Sequence, residues 1–191
     1  MRSMGSTRPG NAGPWAVGRL AASSVVRFLT LVSRRSLLRS RDRLGAVYRI
    51  DGRGHYRVFR ETVRRDAPGG PECVLVVGFR LRGIGRNALL HALFERVCIV
   101  TTPFWSGFAG FSTKLWLVDP DDRSYLGIYR WYGEAEARTY IGALVPVLEL
   151  VSDPADVWYE LHVDAGLEPF LASAREPVQS TRSSLVMRQP S

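Results

Sequence analysis

Lys114 is the only lysine in a chain with 25 arginines, and it stands two residues before a tryptophan in "GFSTKLWLVDPDDRSYLGIYRW". The run alternates on both sides of a turn. Pairing Asp119 with Ser124 sets Leu117 opposite Leu126 and Leu115 opposite Ile128 on one side of the hairpin. The other side receives Trp116 opposite Gly127, Lys114 opposite Tyr129, and Ser112 opposite Trp131. A slip of one residue mixes the aliphatic and polar-aromatic sets, so the pattern itself specifies the register. In "DVWYELHV", Val157, Tyr159, Leu161 and Val163 suit a helix-covered side, which leaves Trp158, Glu160 and His162 on the side of Lys114 and Trp116. A face with three tryptophans, a tyrosine, a lysine, a glutamate and a histidine marks either a contact patch or a cavity with a few polar groups. In a cavity, Lys114 and Tyr129 anchor or polarise a substrate oxygen, and Trp116, Trp131 and Trp158 form walls. His162 beside the carboxylate of Glu160 moves protons as a general base. The loop "TTPFWSGFAG" adds Phe104, Trp105 and Phe108 as apolar lining. The plainer alternative gives these residues structural roles. Lys114 then lies along Trp116 or Tyr129 as a cation–π contact, Glu160 is its ion-pair partner, and His162 is a hydrogen-bonded interface residue.

The elements that must position these groups are read from periodicity. "CVLVVGFRL" (73–81) is a buried strand and "HYRVFRETV" (55–63) an alternating one, and the two are expected to form a long hairpin around "RRDAPGGPE". From Arg86, Leu89, Leu90, Leu93, Phe94 and Val97 recur at helical spacing. Residues 134–151 form a second helix, which Pro146 is expected to kink or split. From Cys73 onward the order is strand, helix, strand, strand, helix, strand. That order predicts an α+β fold, a ferredoxin-like split βαβ unit with an antiparallel sheet, over about 54–168.

Upstream, 1–13 reads as a flexible leader and 14–48 as a basic helical arm. Within the arm, 15–33 is amphipathic: Arg19, Ser23, Arg27, Thr30 and Arg34 share one sector opposite Val17, Ala21, Val25, Phe28 and Leu31. A second short helix is expected at about 36–48. The arm either docks on its own domain, packs in a dimer, or lies through 15–35 on an anionic membrane surface. It is too interrupted by arginine to span a bilayer. The tail 172–191, rich in Ser, Arg, Pro and Gln, is expected to be disordered.

The net charge of +8 over 191 residues is local. Residues 1–41 carry eight arginines and no acid, leaving 18 basic against 18 acidic residues in the body. A neutral body with one basic arm argues against a nucleic-acid partner. Cys73 and Cys98 sit in apolar runs without CxxC or histidine-rich spacing, which favours buried reduced thiols over a disulfide or metal site and suits a cytoplasmic location. His55, His91 and His162 are too scattered to argue for a metal, and "RGIGRN" lacks the third glycine and the βαβ setting of a dinucleotide loop.

Three short motifs, Gly110-Phe111-x-x-Lys114-x-Trp116, Gly127-Ile128-Tyr129-x-Trp131 and Ala137-x-x-Tyr140, resemble the YdhR-type monooxygenase family of the dimeric α+β barrel superfamily. The resemblance covers roughly residues 74–163. It implies a homodimer whose two sheets face each other around barrel-like cavities. It also implies a small apolar or aromatic ligand, and oxygenation that needs no flavin, haem or metal. The arm, the strand 55–63 and the loop 101–109 depart from that compact pattern. Three functions therefore stand beside one another. The first is an enzyme for a small hydrophobic substrate, an oxygenase or a related cyclase or isomerase. The second is a non-catalytic ligand-binding or dimerisation module, and the third a membrane-surface accessory protein.

Overall fold

The computed structural model describes residues 3–4, 37–50, 52–83, 94, 96 and 106–175. The amphipathic helix expected at 15–33, with its membrane contact, therefore lies outside the described residues. So do Phe104, Trp105, His91, Cys98, most of the helix expected from Arg86, and the tail beyond 175, whereas residues 172–174 of the tail expected to be disordered are helical and Arg175 bridges to Tyr48. Phe94 and Arg96 of that expected helix are helical.

The described residues form eight strands and two helices: β1 (Ser3–Met4), β2 (Leu37–Ser40), β3 (Val47–Ile50), β4 (Gly54–Arg64), β5 (Glu72–Phe79), β6 (Phe111–Val118), β7 (Tyr125–Tyr132), α1 (Glu134–Val151), β8 (Trp158–Val163) and α2 (Leu167–Ala174). The fold is α+β. All pairings are antiparallel, in the order β1-β8-β5-β7-β6-β4-β2, with β3 also paired to β4.

Four expectations are corrected here. Residues 37–48 are not helical but supply β2, a turn and the start of β3. Residues 3–4 of the expected leader pair with β8. The strand at 55–63 does not form a hairpin with 73–81: β4 pairs with β6, while β5 lies between β7 and β8. The reason is burial. From Cys73 to Gly78 every residue of β5 is buried, so β5 requires a partner on each edge and cover on each face. The arginine-bearing β4 belongs farther out. Finally, α1 is not split at Pro146 but runs from Glu134 to Val151 as one helix, because one missing N–H does not outweigh the packing of its buried side. No helix among the described residues is long and apolar enough to cross a membrane.

The sheet is covered on both faces. On face one, Cys73, Leu75, Val77, Trp116, Tyr129, Trp131 and Leu161 pack against Ala137, Tyr140, Ile141, Ala143 and Leu144 of α1. On face two, Val74, Val76, Leu115, Leu117, Leu126 and Ile128 pack against Leu167 and Leu171 of α2, with Tyr48 and Ile50 of β3. The long helix thus covers the polar-aromatic side of the central hairpin, not its aliphatic side as expected. Volumes decide this. The small side chains Ala137 and Ala143 leave room over the indoles, while the leucines of α2 mesh with the aliphatic rows.

Cys73 lies at the inner edge of face one, 1% exposed, with its thiol directed at the carbonyls of Trp131 and Gly133. Burial pushes the thiol up from 9.0 to about 11, and Glu134 and Glu136 at the start of α1 add to the effect. The folded protein therefore holds a proton that the unfolded chain gives up. The contribution of Cys73 to stability should be flat below about pH 9 and fall by about 2–3 kcal/mol as the pH rises to about 11. Burial raises Tyr48 and Tyr56 as well, and they act in the same direction. Urea unfolding at pH 8, 10 and 11 should show a shallower decline for Cys73→Ala than for the natural sequence. Equal slopes would refute the assignment.

Candidate functional site

The hairpin register is the expected one along most of its length. Asp119 N–H donates to the Ser124 carbonyl at 2.9 Å, and Leu117 faces Leu126, Trp116 faces Gly127, Leu115 faces Ile128 and Lys114 faces Tyr129. Near its end a bulge between Phe111 and Thr113 sets Phe111 opposite Trp131, so Ser112 does not hold the place expected for it. The turn between Asp119 and Ser124 is held by Asp119, whose Oδ1 accepts from the backbone N–H groups of Asp121 and Asp122.

Lys114 is 5% exposed. Its Nζ stands 3.1 Å from the centroid of the Trp116 ring and 4.7 Å from that of Tyr129. Gly127 makes the second contact possible: a methyl group there would lie 2.7 Å from the Tyr129 ring, so the phenol leans over a position without a side chain. Tyr140 Oη donates to Tyr129 Oη at 2.9 Å, linking α1 to the hairpin. The Tyr140 ring is 4.8 Å from Trp131 and 5.4 Å from Phe108. Thr62 of β4 pairs with Lys114 in the register and completes the row.

Three polar atoms of this layer, Trp116 Nε1, Trp131 Nε1 and Thr62 Oγ1, are buried without a hydrogen-bond partner among the described residues. Leaving a buried donor or acceptor unpaired costs about 1–3 kcal/mol. A layer that holds three such atoms beside an ammonium group is suited to donate hydrogen bonds to a ligand oxygen and to offset its charge. Among the described residues no three His, Cys, Asp or Glu side chains gather as a metal site.

Lys114, Tyr129, Trp116, Trp131 and Phe108 are therefore brought together, and His162, Glu160 and Trp158 are not. Lys114 shares its row with Tyr129, Leu75 and Leu161, whereas His162 lies in the row of Val74 and Arg130. Alternation puts these rows on opposite faces of the sheet. His162 is buried on face two, 5.1 Å from the Phe170 ring of α2. Its Nε2 is 3.6 Å from Glu160 Oε2, beyond hydrogen-bond reach. Trp158 packs with the aliphatic cluster of face two. His162 and Glu160 cannot move protons for a ligand held at Lys114, and Trp158 cannot wall its site. The expected side for β8 relative to α1 was right. The hairpin was turned the wrong way, because β5 and the second cover, α2, set the relation between the two strands.

Tyr140, Thr62 and Phe111 belong to the layer without having been singled out as site residues. Tyr140 carried a signal, as the last residue of the Ala137-x-x-Tyr140 motif. Thr62 carried none, since its place depends on the non-local pairing of β4 with β6. No known family's sequence model matches this chain, and no curated protein matches it.

Proposed function

We propose that the protein binds a small aromatic molecule bearing a carbonyl or phenolate oxygen in the layer between the sheet and α1. Lys114 supplies the positive charge, the indole N–H groups of Trp116 and Trp131 supply donors, and the Tyr129–Tyr140 pair lines the floor. The observation that carries this reading is the cluster of unpaired buried polar atoms on Trp116, Trp131 and Thr62 beside a buried ammonium group. The strand order β8-β5-β7-β6, with helical residues between β5 and β6 and α1 between β7 and β8, supports a ferredoxin-like unit. The face that a second sheet would occupy in a dimeric barrel is already packed by α2 and β3. The ligand layer is therefore complete within one chain, and a homodimer would use another surface.

The resemblance to the YdhR-type family extends the reading to oxygenation. For an electron-rich substrate with a ring methylene, dioxygen is cleaved: one atom replaces two hydrogens as a carbonyl, and the other leaves as water. The substrate supplies all four electrons. Lys114 would hold the enolate oxygen from which those electrons depart.

Fluorescence titration with 1-anilinonaphthalene-8-sulfonate, an aromatic anion, tests the binding step. Saturable binding is expected, weakened about tenfold in Lys114→Met, which keeps the length of the stem and removes one charged contact. Equal affinity in a Lys114→Met protein with native near-UV dichroism would overturn the site. Oxygen uptake with anthrone tests the reaction. Binding of the probe without uptake would move the reading to a non-catalytic binding module.

A further inference from the structure

At the turn end of face two, four segments converge on a pocket of about 220 Å³ lined by Arg53, Tyr56, Arg80, Asp122, Asp156 and Trp158, among others. Its wall is built at a local cost. Gly78 interrupts β5, a place where glycine weakens a strand and marks a close approach. A methyl group at 78 would lie 2.2 Å from the Trp158 indole, so the ring rests against bare backbone. Over that ring stands the Arg53 guanidinium, 4.2 Å from its centroid. Ser124 Oγ donates to Tyr56 Oη at 3.1 Å and Tyr56 Oη to the Arg53 carbonyl at 3.3 Å, which fixes the turn that presents Arg53.

The charges differ in what they have left to give. Asp122 is committed: it accepts from Arg80 Nη2 at 2.6 Å and from the Ser124 N–H at 2.8 Å. Arg80 keeps its remaining N–H groups beside it. Arg53 makes no ion pair among the described residues, and stacking on an indole uses the face of a guanidinium while leaving its in-plane donors unspent. Asp156, on the 3-10 turn Pro154–Asp156, is the opposing carboxylate. It limits the site to a small anion that approaches from the arginine side. The volume is below the roughly 300 Å³ of common ligand clefts.

We propose that this pocket is a second binding site, for a small oxyanion, a carboxylate or a phosphate, held by the stacked Arg53 with Arg80. It lies on the face opposite Lys114 and does not depend on the function proposed above.

Calorimetric titration of the full chain at low ionic strength, with sodium benzoate in one arm and inorganic phosphate in the other, tests it. One equivalent of at least one probe should bind, and the tighter arm identifies the ligand class. Arg53→Gln, at an exposed turn, should weaken binding about tenfold or more, the worth of one charge-assisted bidentate contact. Arg138→Gln, an arginine of α1 paired with Glu134, should leave it unchanged. No binding of either probe, or an Arg53→Gln protein that binds as well as the natural one, would overturn the proposal. An equal loss in Arg138→Gln would do the same, by reducing the effect to net charge.

Discussion

Arg43→Ala should destabilise the protein by about 3–5 kcal/mol, the penalty for leaving a buried charge without its partner. Arg43 lies in the turn between β2 and β3 and donates from Nη1 to Glu61 Oε1. From Nη2 it donates to Glu168 Oε1 at 2.5 Å. Glu61 is fully buried in β4, and its Oε2 has no hydrogen-bond partner among the described residues. Burial alone would lower the Arg43 pKa, but the bonds and charges of Glu168 and Glu61 outweigh it and hold the guanidinium above its ordinary value. The clasp joins three separate parts of the chain: the β2–β3 turn, the sheet strand β4 and α2, which covers face two.

The two carboxylates should respond differently. Glu168 is 62% exposed, so Glu168→Gln should cost about 0–1 kcal/mol, as for a surface pair. Replacing both buried partners by apolar residues, Arg43→Met with Glu61→Leu, should recover most of what Arg43→Ala loses. Urea unfolding of the three variants checks this. A loss below about 1 kcal/mol in Arg43→Ala would overturn the reading of Arg43 and Glu61 as a buried pair whose separation is costly.

The parts of this fold that were legible in the sequence are those fixed by local chemistry. The β6–β7 register follows from a turn rich in aspartate and from alternation on both arms, and it holds from Lys114 to Ser124. It fails only at Ser112, where a bulge adds a residue that no periodicity announces. Position in the sheet is a different kind of information. β4 reads as a strand, but its partner β6 comes some fifty residues later, and alternation cannot name a non-local neighbour. α2 was missed because "LEPFLASA" is one short segment with a proline in its first turn, next to a polar tail. α2 covers face two, and His162 packs against its Phe170 there instead of on the side of Lys114. The site was half legible for the same reason. Residues of one hairpin were grouped correctly, and residues separated from it by β5 were not.

The tryptophans measure that division. Trp131→Ala should cost about 3–5 kcal/mol, the usual range for deleting a fully buried indole. Trp131 has no exposed surface, and the Tyr140 and Phe111 rings pack against it at 4.8 and 5.8 Å. Its loss opens a void between α1 and the sheet beside the Tyr129–Tyr140 hydroxyl pair, so affinity for the aromatic anion at Lys114 should fall with stability. Trp158 is only partly buried, and one of its contacts is the solvent-side guanidinium of Arg53. Trp158→Ala should cost about 1–2 kcal/mol, since part of the ring is already in water. It should leave the aromatic anion bound as tightly as before, because the sheet stands between Trp158 and Lys114. The paired measurement, unfolding together with probe titration on both variants, therefore reads the face assignment directly. If Trp158→Ala weakens the probe as much as Trp131→Ala does, the two indoles share one chamber and the division of the sheet into a lysine face and a histidine face is wrong. If only Trp131→Ala does so, the proton-transfer groups first assigned to the Lys114 ligand have to be sought among the side chains under α1.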